Sequence, residues 1–223
     1  MTLVFSLIVL LVIFVSLFLL LLIDKDSRTK QLRQCAGQLG LEYRPFASLS
    51  PQVRDARFRI INLGQLHHFR HLLEGQFSQS QHPYRLNLLD YSLLSNDGTA
   101  NQTLMLIDCP LPTGRFRLQQ KQWLSGDVFS DQYQDDLRRL LPGQLHPDIN
   151  QWQIFSERPG EISRLLNEEV RQWLLAHPHL HIEWSNGILL LYRPQHLLDE
   201  NSISPALSAG CELAQQLQQS TSL

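Results

Sequence analysis

The chain has 223 residues, a formal net charge of -2 and 43% hydrophobic residues, which is enough for a single core and gives no sign of an internal repeat. The charge is spread along the chain with no basic domain, which excludes nucleic acid as a partner. Cys35, Cys109 and Cys211 are widely spaced and lack a CxxC pair; this excludes a disulfide framework and a zinc knuckle, and reads as three small buried residues.

From Leu3 to Ile23 every residue is Leu, Val, Ile or Phe except Ser6 and Ser16. A helix of that length spans about 31 Å, which matches a hydrocarbon core of roughly 30 Å. No basic residue precedes the run, and no small-residue cleavage site follows it at Ile23-Asp24-Lys25-Asp26, so a removable signal peptide is disfavoured. The expectation is a transmembrane anchor over residues 1–23, in contact with the lipid bilayer through 3–23. Lys25, Arg28, Lys30 and Arg33 follow closely; by the positive-inside rule they place the N-terminus outside and the body in the cytoplasm, at a bacterial-type inner membrane. The same four residues are also candidates for contact with anionic lipid headgroups.

Residues 24–39 read as a juxtamembrane helix, or as a continuation of the membrane helix, with Leu32, Cys35, Ala36 and Leu39 on one side and Gly40 as its C′ residue. The domain then runs over 40–223. Leu41–Arg44 is a first strand closed by Pro45, and Ser50-Pro51 reads as an N-cap and N1 pair opening a brief helix through Ala56. From Phe58 the period becomes two. Phe69, His71, Leu73, Gly75 and Phe77 alternate with polar neighbours as one strand, Tyr84 to Leu94 forms a second, and Asn96-Asp97-Gly98 is turn chemistry. Thr103 to Ile107 is a third strand. Arg115 to Gln119 is a fourth, expected on an edge with Arg115 and Arg117 facing water.

Asp131 to Leu141 is expected as a helix ended by Pro142-Gly143, and Gln151 to Phe155 as a strand. Ile162, Leu165, Leu166, Val170, Trp173 and Leu174 form the apolar stripe of one helix from Pro159 to Ala176. Asn186-Gly187 is the preferred pair for a type I′ hairpin turn. It sets Ser185 opposite Ile188, Trp184 opposite Leu189, Glu183 opposite Leu190, Ile182 opposite Leu191 and His181 opposite Tyr192. A last helix is expected to start with Ser204 as N-cap and Pro205 at N1. The fold class is therefore α+β, an antiparallel sheet with helices packed on one face, behind one transmembrane helix.

An N-terminal helix followed by Gly75, Leu88-Leu89-Asp90-Tyr91, Gln102-Thr103 and Ile182-Glu183…Gly187-Ile188-Leu189-Leu190-Leu191-Tyr192-Arg193 resembles a group of uncharacterised bacterial single-pass membrane proteins. The resemblance implies the α+β architecture and carries no activity and no catalytic residues.

Three constellations bear on chemistry. His179, His181 and Glu183 alternate along one strand beside Tyr192, and alternate residues share a face, so they are the candidate metal ligands, with His177 or His196 as a fourth. An amphipathic hairpin also needs a polar face, which is the competing explanation. His67 and His71 would share a face only on a helix, whereas the strand pattern turns His71 inward. Asp90 and Asp108 at strand ends are a candidate carboxylate pair. No nucleophile elbow, P-loop or dinucleotide fingerprint occurs, and no cofactor is implied. Whether the chain is an enzyme stays open. The favoured expectation is a membrane-anchored, non-enzymatic adaptor or assembly factor that binds another protein; the alternative is a membrane-associated, metal-dependent hydrolase.

Overall fold

The computed structural model describes residues 2–62, 66–79, 82–95, 98–120, 136–141 and 146–221, with the side chains of all of these except 2–9, 16–26, 79, 95 and 98. Helix α1 (Thr2–Leu39) leads into strand β1 (Glu42–Phe46), the short helices α2 (Pro51–Asp55) and α3 (Arg59–Asn62), and the long strands β2 (Leu66–Gln79), β3 (His82–Ser95) and β4 (Gly98–Asp108). Then come β5 (Phe116–Gln120), β6 (Arg138–Arg139), β7 (Trp152–Ser156), α4 (Pro159–Leu165), α5 (Glu168–Ala176), β8 (His181–Ser185), β9 (Ile188–Tyr192) and α6 (Glu200–Ser220). Among the described residues these strands make one nine-stranded sheet in the order β1-β2-β3-β4-β9-β8-β5-β7-β6, antiparallel throughout. The β8–β9 hairpin, formed late in the sequence, sits between β4 and β5 and joins the two halves.

The transmembrane expectation is corrected. Among the described residues no helix is long and apolar enough to cross a membrane. Within the run from Leu3 to Ile23 the described side chains are Leu10 to Val15, all exposed. The remainder of the run from Leu3 to Ile23 falls outside the described side chains. Single-pass topology, the inner-membrane placement with a cytoplasmic body, and bilayer contact through 3–23 are therefore not supported. No separate helix starts at residue 24, since α1 is continuous through Leu39.

Local signals are met at several points. Gly40 ends α1 at φ 69. The Leu41 N–H donates to the Ala36 carbonyl at 2.8 Å and the Gly40 N–H to Gly37 at 3.4 Å, the two bonds of a Schellman end. Ser50 caps α2, its Oγ accepting from the Val53 N–H at 3.3 Å, with Pro51 in the first turn. The β8–β9 register is the one that Asn186-Gly187 specifies, with both turn residues at positive φ, 52 and 77.

Elsewhere competing effects win. A bulge between Arg70 and Leu73 puts two residues of β2 opposite one of β3 and exchanges the faces. His71 sits in it at φ 53, with its Nδ1 2.8 Å from the Tyr43 hydroxyl. Phe69 therefore packs on one side of the sheet and Leu73 on the other. The expected helix over 159–176 is two helices. Asn167 accepts from the Val170 N–H at 2.9 Å and restarts the chain as an N-cap with Glu168 and Glu169 in the new first turn. Helix α6 begins before its predicted start, capped by Asp199 through the Ser202 N–H at 2.8 Å, and Pro205 lies inside it. Residues 131–135 of the expected helix, and the Pro142-Gly143 pair expected to end it, lie outside the described residues; of the rest, Arg138–Arg139 forms β6.

Helices lie on both faces rather than one. On the first, Leu32, Cys35 and Ala36 of α1, Ile162 and Leu165 of α4, Trp173 of α5, and Leu207, Cys211 and Ala214 of α6 pack against Leu86, Met105, Ile154, Trp184 and Leu189. On the second, Val53, Ala56, Phe58 and Ile60 cover Leu89, Tyr91, Leu104, Leu106 and Leu190. Strand β5 is interior, paired with β7 and β8, and Arg117 is buried. Its alternation marks two different buried faces, not a face to water.

Candidate functional site

The three candidate metal ligands do not converge. His181 and Glu183 point to the second face from β8, both buried. His179 stands before the strand begins, in the turn after α5, and is exposed. No group of three or more His, Cys, Asp or Glu placed to hold a metal ion occurs among the described residues. The metal-dependent hydrolase reading is corrected on that ground, and the membrane-anchored adaptor reading on the absence of a described span.

Around Glu183 the second face carries a buried polar layer made of Arg59, Arg117, Gln119, Gln153, His181 and Tyr192. One Glu183 oxygen accepts the Arg59 backbone N–H at 2.7 Å, and the other lies 3.5 Å from the donating Tyr192 hydroxyl. The His181 Nδ1 is 3.4 Å from that same hydroxyl. Because the tyrosine proton goes to Glu183, the His181 proton belongs on Nδ1; its Nε2 makes no hydrogen bond among the described residues. Burial, with Arg59 and Arg117 nearby, pushes the imidazole down to about 3, so it is neutral. Burial pushes the Glu183 carboxyl up, against the pull of Arg117 and Arg59. Arg117 also lies over the Phe155 ring at 4.4 Å. The adjoining void among the described residues is about 10 Å³, close to the minimum for one water.

The carboxylate pair is not formed. Asp90 faces Thr103, and Asp108 faces Ile188. Asp90 instead holds Arg28 of α1 through both oxygens at 3.1 and 3.0 Å, and accepts the Thr103 hydroxyl at 3.0 Å. His67 is taken up by the Tyr91 hydroxyl at 2.7 Å, which itself donates to the Ile60 carbonyl at 2.7 Å. The three cysteines are buried and free, and burial pushes Cys109 up to about 12 and Cys211 up to about 11, which leaves them as inert thiols.

A cavity of about 320 Å³ opens on the first face, between the α5–β8 turn and α6. Met105 and Leu191 of the sheet, Leu180, Leu198, and Pro205, Ala206 and Ala209 of α6 give it mostly apolar walls. His177, His179, Arg193 and His196 add polar groups, and no Asp or Glu lines it among the described residues. This size is at the lower end of ligand pockets, and apolar walls with a few polar groups are their usual composition.

The walls are held by identifiable contacts. The His177 Nδ1 donates to the Trp173 carbonyl at 2.8 Å, and the ring stacks on Trp173 at 4.1 Å. The 195–198 loop is tied to β4. The His196 carbonyl accepts from the Thr103 N–H at 3.0 Å, the Thr103 hydroxyl accepts from the Leu198 N–H at 3.0 Å, and Gln102 accepts from the Gln195 N–H at 3.1 Å. Arg28 reaches the Leu198 carbonyl at 2.6 Å. Sequence reasoning singled out His177 and His196 as reserve ligands beside His179, but it missed Arg193 and the apolar walls. Those come from four separate elements, the α5–β8 turn, β9 with the segment after it, α6 and the more distant β4, and no local spacing relates them.

No family model matches the chain, and no curated protein does. Among solved structures it is similar to the mycobacterial trehalose monomycolate transport factor A, TtfA, with a TM-score of 0.61 and 11% identity over 86% of this chain and 95% of that one. At that identity the likeness is one of fold alone. It replaces the resemblance to single-pass membrane proteins: the fold shared is an α+β domain.

Proposed function

We propose that the chain is a binding domain that takes a mostly apolar ligand into the cavity between the α5–β8 turn and α6. The observation that carries this is the cavity itself, about 320 Å³ behind walls of Met105, Leu180, Leu191, Leu198 and Ala206. Removing an aliphatic chain from water there contributes about 25 cal/mol per Å² of apolar surface covered. The 195–198 loop is already hydrogen-bonded to β4, which lowers the ordering cost of binding beside it. A protein of like fold is a trehalose monomycolate transport factor, which agrees with a cargo-binding role.

The test is photolabelling of the full chain with a neutral, diazirine-bearing alkyl alcohol, with the adducts mapped by mass spectrometry. Saturable adducts are expected on Leu180 and on the Pro205–Ala209 turn of α6. Ala206→Trp fills the cavity and is expected to reduce those adducts at least fivefold, with thermal unfolding still cooperative. Adducts that avoid these segments, or that persist undiminished in the variant, would remove the proposal.

A further inference from the structure

We infer that the ligand of this cavity is an anionic amphiphile, a molecule with one aliphatic chain and a carboxylate-like head that Arg193 receives. The inference rests on the cavity being a binding site and adds the charge of its occupant. The lining is mixed in chemistry: the sheet and α6 supply Met105, Leu191, Ala206 and Ala209, while the α5–β8 turn and the segment after β9 supply His177, His179, Arg193 and His196, with no acidic side chain among the described lining residues. Arg193 is exposed, just past the end of β9, and makes no ion pair among the described residues. A guanidinium is charged at every physiological pH and presents a planar fork of donors that matches a carboxylate.

Among the described residues, Asp199 is a carboxylate near His196. It is outside the lining and already accepts the Ser202 N–H as the cap of α6. Its charge weakens attraction at His196 and leaves Arg193 as the principal cation. A neutral head would leave that guanidinium to water, and a cationic head would be repelled by it. The aliphatic part then lies toward Met105, Leu191 and Ala209.

Competition against the neutral photoprobe decides the matter, read as loss of labelling on the cavity peptides. Decanoate, decanol and decyltrimethylammonium share a chain and differ in charge; each is used below its micelle concentration. Decanoate is expected to halve labelling at a concentration at least tenfold below that of decanol, with the ammonium weakest. Arg193→Gln is expected to bring decanoate within twofold of decanol, and Arg193→Lys to keep part of the preference. Equal competition by decanoate and decanol would overturn the anionic head while the cavity remains a binding site. Best competition by the ammonium, or an undiminished preference in Arg193→Gln, would overturn it too. Failure of all three to compete, with the probe itself absent from the cavity peptides, would sink the cavity reading along with it.

Discussion

At the scale of single residues, the most heavily constrained groups are not at the cavity. His181 is buried with its Nδ1 toward Tyr192 and is held neutral down to about pH 3, against an ordinary value of 6.5. Its folded pKa is depressed, so in that interval the unfolded chain binds a proton that the folded chain does not. The stability it contributes is complete above pH 6.5 and is lost as pH falls toward 3, at up to about 1.4 kcal/mol per pH unit. Urea unfolding between pH 7 and pH 5 avoids most carboxylate titration. There His181→Asn is expected to flatten the decline seen in the unaltered chain. An unchanged slope would show that the imidazole does not report this burial. Glu183 acts in the opposite sense: burial raises its carboxyl, so its own contribution is largest in acid and is lost as pH rises through its folded value.

The elements show how closely the cavity and the core share their atoms. Helix α6 approaches β4 at Gly210, where an added Cβ would stand 2.6 Å from the Met105 Cε and 2.9 Å from the Ile107 Cδ1. An alanine there requires the ends of the Met105 and Ile107 side chains to shift. Met105 is the flexible partner, and it also lines the cavity. Gly210→Ala is therefore expected to cost about 1–3 kcal/mol in urea unfolding and to displace Met105 into the ligand space. Labelling of the cavity peptides by the neutral probe should weaken at the same time. Loss of stability with unaltered labelling would mean that Met105 moves elsewhere. The caps speak to the same scale: Ser50 and Gly40 act where their types and spacing place them, whereas Asn167 breaks a continuous apolar stripe because its side chain satisfies an N–H that a helix start leaves free.

For the whole molecule, the order of strands is the decisive fact. The β8–β9 hairpin joins β4 to β5 although the chain forms β5 and β7 first, so completing the sheet waits on residues far from their partners in sequence. Such pairing is slow to form. The hairpin turn is the local device that makes it feasible, and it is further held by Gln52, whose Nε2 donates to the Asn186 carbonyl at 3.0 Å. Gly187→Ala has room for its methyl group but must adopt φ 77, at about 1–2 kcal/mol. Stopped-flow refolding is expected to slow by roughly the share of that energy present in the transition state. A variant that refolds at the unaltered rate and only unfolds faster would place hairpin closure after the rate-limiting step.

Several features held within a few residues were legible in the chain alone: the helix end at Gly40, the Ser50 cap, the strand periods, and the type I′ turn with its register. Those depend on backbone dihedrals and on neighbours along the chain, which a local pattern records. The α+β class was legible too, because alternation and helical stripes are local. Three-dimensional packing was needed to make β5 interior, to turn Phe69 away from Leu73 through a bulge at His71, and to part His179 from the buried His181. Packing alone also gathered Arg193, Met105 and Ala206 around one space. Burial and convergence depend on what packs above a strand, and the residues that do so are distant in sequence, so alternation could mark two faces without saying which of them would meet water.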